Sequence, residues 1–559
     1  MPPKRKLAKQ REFEANKKFR NEKKLKLETA EKIQSLADEI QSHARYNNFV
    51  ILLSQFERVI DEIESGNENE TGAKIETDQE IEMQGRTIAL ALYKCFQFLH
   101  KEGKLRIQKQ QNEGEKIVTK WLLEKYQNFK NIIAAVLKKD LKLGKSLELD
   151  LLDIILKFVK LEGQQNKDKQ FPIETYKLLI EALMDNNITK ILSDGLADNF
   201  LVLEFINSFQ KYWDLQFYFF NITSDLLGKW KDSRSPLQLQ KIVSNFVTII
   251  RNGLLFNTDN LEQEPTWISK ENLSCTLYKH TQFKSQFQKC ISTILAYPLI
   301  SCQYKSLLLI LHKRIIPYLS HPQSLMDFLT DSYNIQQDLI IPILALNSLY
   351  ELMKNYNVEY SDFYTKLYSL LRPELLYTRY RSRFFRLCDL FLSSTHLSAN
   401  LVASFIKKLA KLSLTSSAPG TVLIIPFIYN LLKRHPTCMI MIHNTSQKRD
   451  TGAFQDPFNN HEMNPMNTNA LNSSLWELET LMSHYHPNIA TLAKIFSEPF
   501  RKPSYNLEDF LDWSYKSLLE TEKSRKYKSQ NSALEYEEFD SIFDNKDNMT
   551  NVLLKGWTL

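Results

Sequence analysis

Basic side chains recur at helical spacing between residues 379 and 411, where they offer groups that bind anions. The candidates are Arg379, Arg383, Arg386, Lys407, Lys408 and Lys411. Guanidinium groups fork onto carboxylates or phosphates, and ammonium groups bind either as point charges. These six residues, here called the basic surface, therefore predict a contact with a partner protein or with RNA. The alternative is pairing with acidic side chains of the same chain, such as Glu374 or Asp389.

Two amphipathic helices are expected to carry the basic surface. In residues 379–392 the arginines form a stripe beside an apolar seam for the core. In the next helix the lysines are expected in solvent, because an apolar stripe forms its buried face. That stripe consists of Leu401, Phe405, Leu409 and Leu412. Thr395 or Ser398 is expected to cap this second helix, since a side-chain oxygen satisfies a free backbone N–H there.

An aromatic stripe lies earlier in the chain, at positions that share one face of a helix. It comprises Phe205, Phe209, Trp213 and Phe217. Packing in the core is the favoured interpretation, because aromatic residues at this spacing supply large apolar area. A hydrophobic groove for a partner helix is the alternative.

Motifs for catalysis and nucleotide binding are weak. Gly144, Lys145 and Ser146 resemble the end of a phosphate-binding loop, but Lys139 stands where that loop needs a glycine. Glu477 and Glu479 are two residues apart, so on a helix their carboxylates diverge instead of facing each other across a cleft. We expect no enzymatic activity and no small-molecule substrate.

Candidate metal ligands are equally sparse. His484 and His486 point to different sides of a helix, while Asp456, His461 and Glu462 meet only if their loop folds back on itself. The six cysteines contain no C-x-x-C pair. We expect neither a metal nor another cofactor.

Composition and periodicity indicate a helical protein. Only 13 of the 559 residues are glycine, against about 7% in an average protein, and tight hairpins depend on glycine. Helix pairs with short polar turns recur through the chain, which predicts an all-α fold of the HEAT or armadillo solenoid type. Polar loops are expected at residues 64–84 and 444–464. The apolar runs are too short to span a membrane.

Charge is concentrated at the amino terminus. Residues 1–27 contain 11 Lys or Arg and 3 Asp or Glu, whereas the whole chain has a net charge of only +7. The chain is therefore a basic arm attached to a near-neutral body. Lys4, Arg5 and Lys6 predict a nuclear import signal, and the arm is also a candidate RNA contact.

The second half of the chain resembles a known family. The segments LVASFIKKLAKLSL, PFIYNLLKRHP and LWELETLMSHYHPNIATLAKIFSEPF, followed by YNLEDFLDWSY, are similar to the CCAAT-binding-factor domain that nucleolar complex proteins share. KSLLLILHKRIIPYL extends the resemblance upstream, so that it covers residues 305–543.

This resemblance implies an all-helical, HEAT-like scaffold located in the nucleolus and nucleus. It further implies an obligate pairing with nucleolar protein fourteen and contacts with other proteins of the small-subunit processome. The implied role is 18S rRNA maturation and the assembly and nuclear export of the 40S subunit. Direct binding of pre-rRNA through the arm and the basic surface is the alternative. No membrane contact is expected.

The predicted organisation has four parts. Residues 1–28 form the basic arm, and residues 29–304 form an amino-terminal helical-repeat region that contains the acidic loop 64–84. Residues 305–543 form the CCAAT-binding-factor-type helical domain, and residues 544–559 form a carboxy-terminal tail.

Overall fold

The chain divides into two units, Met1–Ser361 (unit 1) and Asp362–Leu559 (unit 2). A computed structural model describes residues 30–65, 74–106, 113–139, 145–165, 170–186, 190–191, 197–257, 260–335, 338–357, 360, 362–442 and 455–524. The basic arm with Lys4, Arg5 and Lys6, and the tail 544–559, lie outside the described residues. The predicted boundary between residues 304 and 305 stays a prediction, and this position lies inside a helix of unit 1, Ser301–Ile310.

The described part of unit 1 is mostly α-helical. Its helices are α1 (Ala30–His43), α2 (Asn48–Ser65), α3 (Lys74–Lys101), α4 (Glu113–Lys138), α5 (Lys145–Gln165), α6 (Ile173–Asp185), α7 (Phe200–Phe209), α8 (Trp213–Ser233), α9 (Pro236–Asn252), α10 (His280–Leu295), α11 (Ser301–Ile310), α12 (Met326–Asn334) and α13 (Ile340–Tyr356). The strands within the described ranges are β1 (Lys190–Ile191) and β2 (Ala197–Asp198), two residues each and antiparallel. The all-α prediction is confirmed.

Helices in unit 1 pack mainly on the helix two positions further along the chain. The pairs are α1 on α3, α3 on α5, α4 on α6, α6 on α8, α8 on α10, α9 on α11 and α11 on α13. Each helix thus buries an apolar stripe against its neighbours, which is the packing of helical-repeat proteins. None of the helices that the structure describes combines the length and the apolarity that a membrane crossing requires.

The aromatic stripe of unit 1 belongs to the core. Phe205, Phe209 and Trp213 are fully buried, and Phe217 is 2% exposed. The stripe does not follow one helix, because α7 ends at Phe209 and α8 begins at Trp213. The indole N–H of Trp213 donates to the carbonyl oxygen of Leu277 at 3.1 Å. Core packing is therefore confirmed, and the alternative of a partner groove is wrong.

The predicted loop at residues 64–84 is partly wrong. Helix α2 runs to Ser65 and α3 begins at Lys74, so residues 74–84 are helical. The sequence pattern did not predict this helix, because its first turns contain few apolar residues. Of the other predicted loop, residues 455–464 are described and contain no helix or strand.

Unit 2 contains shorter helices and more irregular backbone. They are α14 (Phe363–Ser369), α15 (Arg381–Phe391), α16 (Ala399–Ser413), α17 (Ala418–Arg434), α18 (Trp476–Leu481), α19 (Pro487–Ala493), α20 (Glu508–Leu511) and α21 (Tyr515–Ser524). Helix α17 lies at the centre, with every residue from Ala418 to Leu432 buried. It packs against α16, α19, α20 and α21, while α16 also packs against α18.

Candidate functional site

Helix α15 presents the arginines of the basic surface beside a buried apolar seam. The helix begins at Arg381, so Arg379 lies in the turn before it and is exposed. Phe384 and Phe385 are fully buried. Arg383 is half-buried, and burial lowers the pKa of its guanidinium below the usual value. The seam predicted for this helix is therefore confirmed, although the stripe of three arginines is not continuous on the helix.

Arg386 is paired within unit 2. Its Nε and one terminal nitrogen donate to the two carboxylate oxygens of Glu508, at 2.7 and 2.6 Å. The hydrogen bond from Arg386 lowers the pKa of Glu508 below its usual value. Pairing of Arg386 within the chain was the predicted alternative, but its partner is Glu508 and not the expected Glu374 or Asp389. Asp389 instead binds Arg434, at 2.6 Å.

Lys407 is buried, which corrects the prediction that it lies in solvent. Its side chain is 0% exposed, and Nζ lies 2.6 Å from Glu477 Oε1 and 2.9 Å from Asp456 Oδ2. A third hydrogen bond goes to the carbonyl oxygen of Ser474 at 2.7 Å. An ammonium group has three N–H donors, and all three are satisfied here. Lys407 therefore cannot belong to a surface that contacts a partner or RNA.

The two carboxylates at Lys407 differ in their surroundings. Burial raises the pKa of Glu477, which is fully enclosed. Burial also raises the pKa of Asp456, but hydrogen bonds from Ser473, Lys407, the Phe458 N–H and Trp476 outweigh it and lower that pKa to about 2. The cluster thus ties α16 to α18 and to the segment before α18.

Lys408 and Lys411 also depart from the prediction. Lys408 is half-buried, with Nζ 3.9 Å from the centre of the Tyr368 ring, and burial followed by the charge of Arg372 lowers its pKa to about 8. Lys411 is half-buried with Nζ 5.6 Å from the centre of the Phe458 ring. Ser398 caps α16 as predicted, its hydroxyl accepting from the Leu401 N–H at 3.3 Å.

A segment after α19, residues 500–513, crosses α17 and α15 and is here called the strap. The Asn430 side chain binds both polar backbone atoms of one strap residue, accepting from the Tyr505 N–H and donating to the Tyr505 carbonyl oxygen, both at 2.8 Å. The sequence analysis missed Asn430, because no local signal marks a polar residue in an apolar helix for contact with a segment 75 residues away.

The other candidate chemistry is not assembled. No cluster of three or more His, Cys, Asp or Glu that would suit a metal ion occurs in the described ranges. Asp456 is engaged by Lys407, and the His484 Nδ1 accepts from the His486 N–H at 3.0 Å. Burial raises the pKa of the Cys290 and Cys388 thiols well above the usual value, so these thiols are unreactive.

Two family models match the chain. The model for the TPR repeats of nucleolar complex protein 4-like proteins matches residues 21–233. The model for the CBF/Mak21 family matches residues 342–493, which include α15, α16, α17 and the Lys407 cluster. The first model agrees with the helical-repeat prediction, and the second agrees with the resemblance drawn from the second half of the sequence.

Individual relatives match over most of the chain. Nucleolar complex protein 4 of Saccharomyces cerevisiae is 43% identical over 499 residues, which are 84% of this chain and 89% of the relative. The nucleolar complex protein 4 homologue of Gallus gallus is 32% identical over 442 residues, 77% of this chain and 82% of the relative. The nucleolar complex protein 4 homologue A of Xenopus laevis is 33% identical over 438 residues, which are 77% of this chain and 80% of the relative.

These matches confirm the resemblance and extend it into unit 1. The relatives are named as nucleolar complex proteins, so the predicted nucleolar and nuclear location and a role in ribosome biogenesis agree with the family. The chain belongs to the family of nucleolar complex protein 4 and its homologues, with TPR repeats in unit 1 and a CBF/Mak21 segment at residues 342–493.

Proposed function

We propose that the chain is a non-catalytic scaffold of the small-subunit processome that pairs with nucleolar protein fourteen. In this role it supports 18S rRNA maturation and the assembly and nuclear export of the 40S subunit. The proposal rests on the observation that charged side chains of unit 2 pair with one another. Lys407, Glu477 and Asp456 bind one another, and Arg386 binds Glu508, so these side chains hold helices together.

Exposed apolar side chains of unit 2 support a protein partner. Those at least 48% exposed, and up to 81%, are Tyr377, Leu390, Ile440, Met463, Tyr485, Tyr515 and Leu519. Aromatic residues and methionine are enriched in protein interfaces. The scaffold would act through many contacts of this kind, and an obligate interface is expected to bury more than about 2,000 Å².

Co-purification of the full chain with nucleolar protein fourteen of the same organism tests the pairing. We expect a complex of one copy each that survives high salt and ribonuclease, because the proposed contacts join protein to protein. Loss of the complex after ribonuclease treatment would contradict the proposal and support the alternative of direct pre-rRNA binding. Deletion of residues 1–27 is expected to leave the complex intact and to reduce nuclear import or RNA retention.

Arg379 is the residue of the basic surface best placed for a test at the interface, since it is exposed in the turn before α15. Arg379→Glu is expected to leave the fold intact and to weaken pairing. Lys516→Glu on α21 is the matched control, because Lys516 is 85% exposed in the same unit. Equal weakening by both variants would indicate a loss of general charge attraction and would remove Arg379 from the interface.

A further inference from the structure

The strap is held by its main chain more than by its side chains. Tyr429 donates to the carbonyl oxygen of Lys502 at 2.8 Å, and Lys433 donates to that of Phe500 at 2.9 Å. Asn430 binds both polar atoms of the Tyr505 backbone. These three residues of α17 occupy one helix face, because they are one and four residues apart. That face therefore binds main-chain atoms of strap residues that precede α20, and any sequence offers such atoms.

Helix α15 supplies a second set of contacts to the strap. Ser382 donates to the carbonyl oxygen of Leu511 at 3.0 Å, and Arg381 donates to that of Trp513. Arg386 forks onto the Glu508 carboxylate. The groove between α15 and α17 thus binds main-chain carbonyl oxygens of the strap at several points and a carboxylate through Arg386.

Aromatic contacts add further selectivity. The Tyr429 ring lies between Phe500 and Tyr505, with ring centres 4.4 and 4.9 Å away. The strap thus presents two aromatic residues five positions apart and a carboxylate three positions later. Arg381, Arg386 and Lys433 lie along the groove, which suits a segment that is acidic in its second part. The strap is such a segment, since Arg501 and Lys502 are followed by Glu508, Asp509 and Asp512.

The strap buries little of itself. Within residues 500–513 only Leu511 is buried, while Glu508 and Asp509 are exposed. Release of the strap would therefore cost few apolar contacts, since hydrophobic stabilisation is proportional to the apolar area that is buried. The CBF/Mak21 match ends at residue 493, so it includes both helices of the groove but not the strap.

We propose that the groove between α15 and α17 is a receptor for a segment of a partner protein that begins outside any helix and ends in an acidic helical turn, as the strap does at α20, and that the chain's own strap occupies the groove until that segment takes its place. The segment would carry two aromatic residues and then a carboxylate, at the spacing of Phe500, Tyr505 and Glu508. Arg386 binds the carboxylate, and Asn430 binds the backbone at the second aromatic residue. This receptor site goes beyond the proposed pairing and does not require nucleolar protein fourteen to be its ligand.

A labelled synthetic peptide with the sequence of residues 498–515 tests the exchange on the full chain. Glu508→Lys weakens the strap and leaves the groove unchanged, so the variant is expected to bind the peptide about two- to fivefold more tightly than the unaltered chain does. Asn430→Leu added to Glu508→Lys should abolish binding. Equal peptide affinity of the unaltered chain and Glu508→Lys, or binding that Asn430→Leu leaves unchanged, would overturn the proposal.

A charge exchange supplies the specificity control. The chain with Arg386→Glu is expected to prefer a peptide carrying lysine in place of Glu508, and a preference for the unaltered peptide would overturn the role of Arg386. If Glu508→Lys forms dimers as its concentration rises, the groove binds the strap of a second copy of the chain. This result would overturn the proposal that a partner protein fills the groove.

Amide hydrogen exchange of the unaltered chain keeps the proposal testable if Glu508→Lys fails to fold. The Tyr505 amide is expected to exchange at least about a hundredfold faster than the Ile428 amide in the middle of α17, because the strap opens without unfolding of the unit. Equal protection of the two amides would show that the strap is a permanent part of the fold. This outcome would leave the proposed pairing untouched, so the two proposals fail separately.

Discussion

Two basic residues of unit 2, Lys407 on α16 and Arg386 on α15, looked alike in the sequence and have opposite surroundings in the structure. Lys407 is fully enclosed and binds two carboxylates, whereas Arg386 is 45% exposed and its two carboxylate partners, Glu508 at 2.6 Å and Asp512 at 3.9 Å, are 57% and 77% exposed. Attraction between charges is screened by water at the surface and much less in the interior. The same type of contact therefore has very different consequences for stability at the two places.

The enclosed pair also has the higher cost of desolvation. A buried ion pair repays that cost only when its geometry is good and its remaining hydrogen bonds are satisfied. Lys407 meets this condition, because its three donors have three acceptors, but Glu477 does not, because its Oε2 has no hydrogen-bond donor among the described residues. Removing one partner would leave the others charged and without compensation. The Arg386 pair lacks this vulnerability, since water can solvate either partner alone.

The largest effect is expected from Lys407→Met. This change leaves the Glu477 carboxylate buried without its cation, and we expect a loss of about 3–5 kcal/mol in the free energy of unfolding. Urea unfolding followed by circular dichroism measures it. Lys407→Met combined with Glu477→Met is the control, and it should recover most of the loss because no uncompensated charge remains. If the double variant is as unstable as the single one, packing and not charge explains the effect.

Asp456→Asn is expected to have an intermediate effect that depends on pH. The pKa of Asp456 is about 2 in the folded chain against an ordinary value of 3.8. A lowered pKa contributes stability above the unfolded value and loses it as pH falls toward the folded value. Asp456→Asn should therefore cost on the order of 1–2 kcal/mol at neutral pH. The difference from the unaltered chain should shrink as pH falls from 5 to 3, and a constant difference would contradict this origin.

Arg386→Ala is expected to have a small effect on stability. An exposed ion pair is worth about 0.2–1 kcal/mol, and salt weakens it. A double-mutant cycle with Glu508→Ala isolates the pair. The coupling energy should fall as salt is raised, whereas the coupling between Lys407 and Glu477 should hardly change. A coupling between Arg386 and Glu508 that resists salt would remove the contrast between the two sites.

Local sequence patterns predicted where the helices and their buried faces lie, but they did not predict which residues the charged side chains pair with. The buried aromatic stripe, the apolar seam of α15 and the Ser398 cap follow from spacing within one helix or its first turn. The surroundings of Lys407 do not, because Glu477 and Asp456 come from a segment about 50–70 residues later in the chain. Arg386 likewise meets Glu508 across 122 residues. No local pattern contains these pairings.

Lys408 shows a signal that was present in the sequence and was missed. It follows Leu401 by two helical turns, so it lies on the apolar stripe of α16 and not opposite to it. The partial burial of Lys408 is therefore readable from periodicity alone. Lys407 lies off the stripe and becomes buried only because α18 and the segment before it cover that side of the helix.

Lys408→Met is expected to change stability by less than about 1 kcal/mol at neutral pH, with a definite dependence on pH. The pKa of Lys408 is about 8 in the folded chain against 10.5 for an ordinary lysine. A lysine with a lowered folded pKa is unfavourable while charged, and this penalty is relieved as pH rises from 8 toward 10.5. The unaltered chain should therefore gain stability relative to Lys408→Met over that range.

Unfolding measurements at several pH values, with Lys411→Met as the control, test this dependence of stability on pH. A relative loss of stability in the unaltered chain would instead show that the Tyr368 ring, 3.9 Å from Nζ, stabilises the charged form more than burial disfavours it.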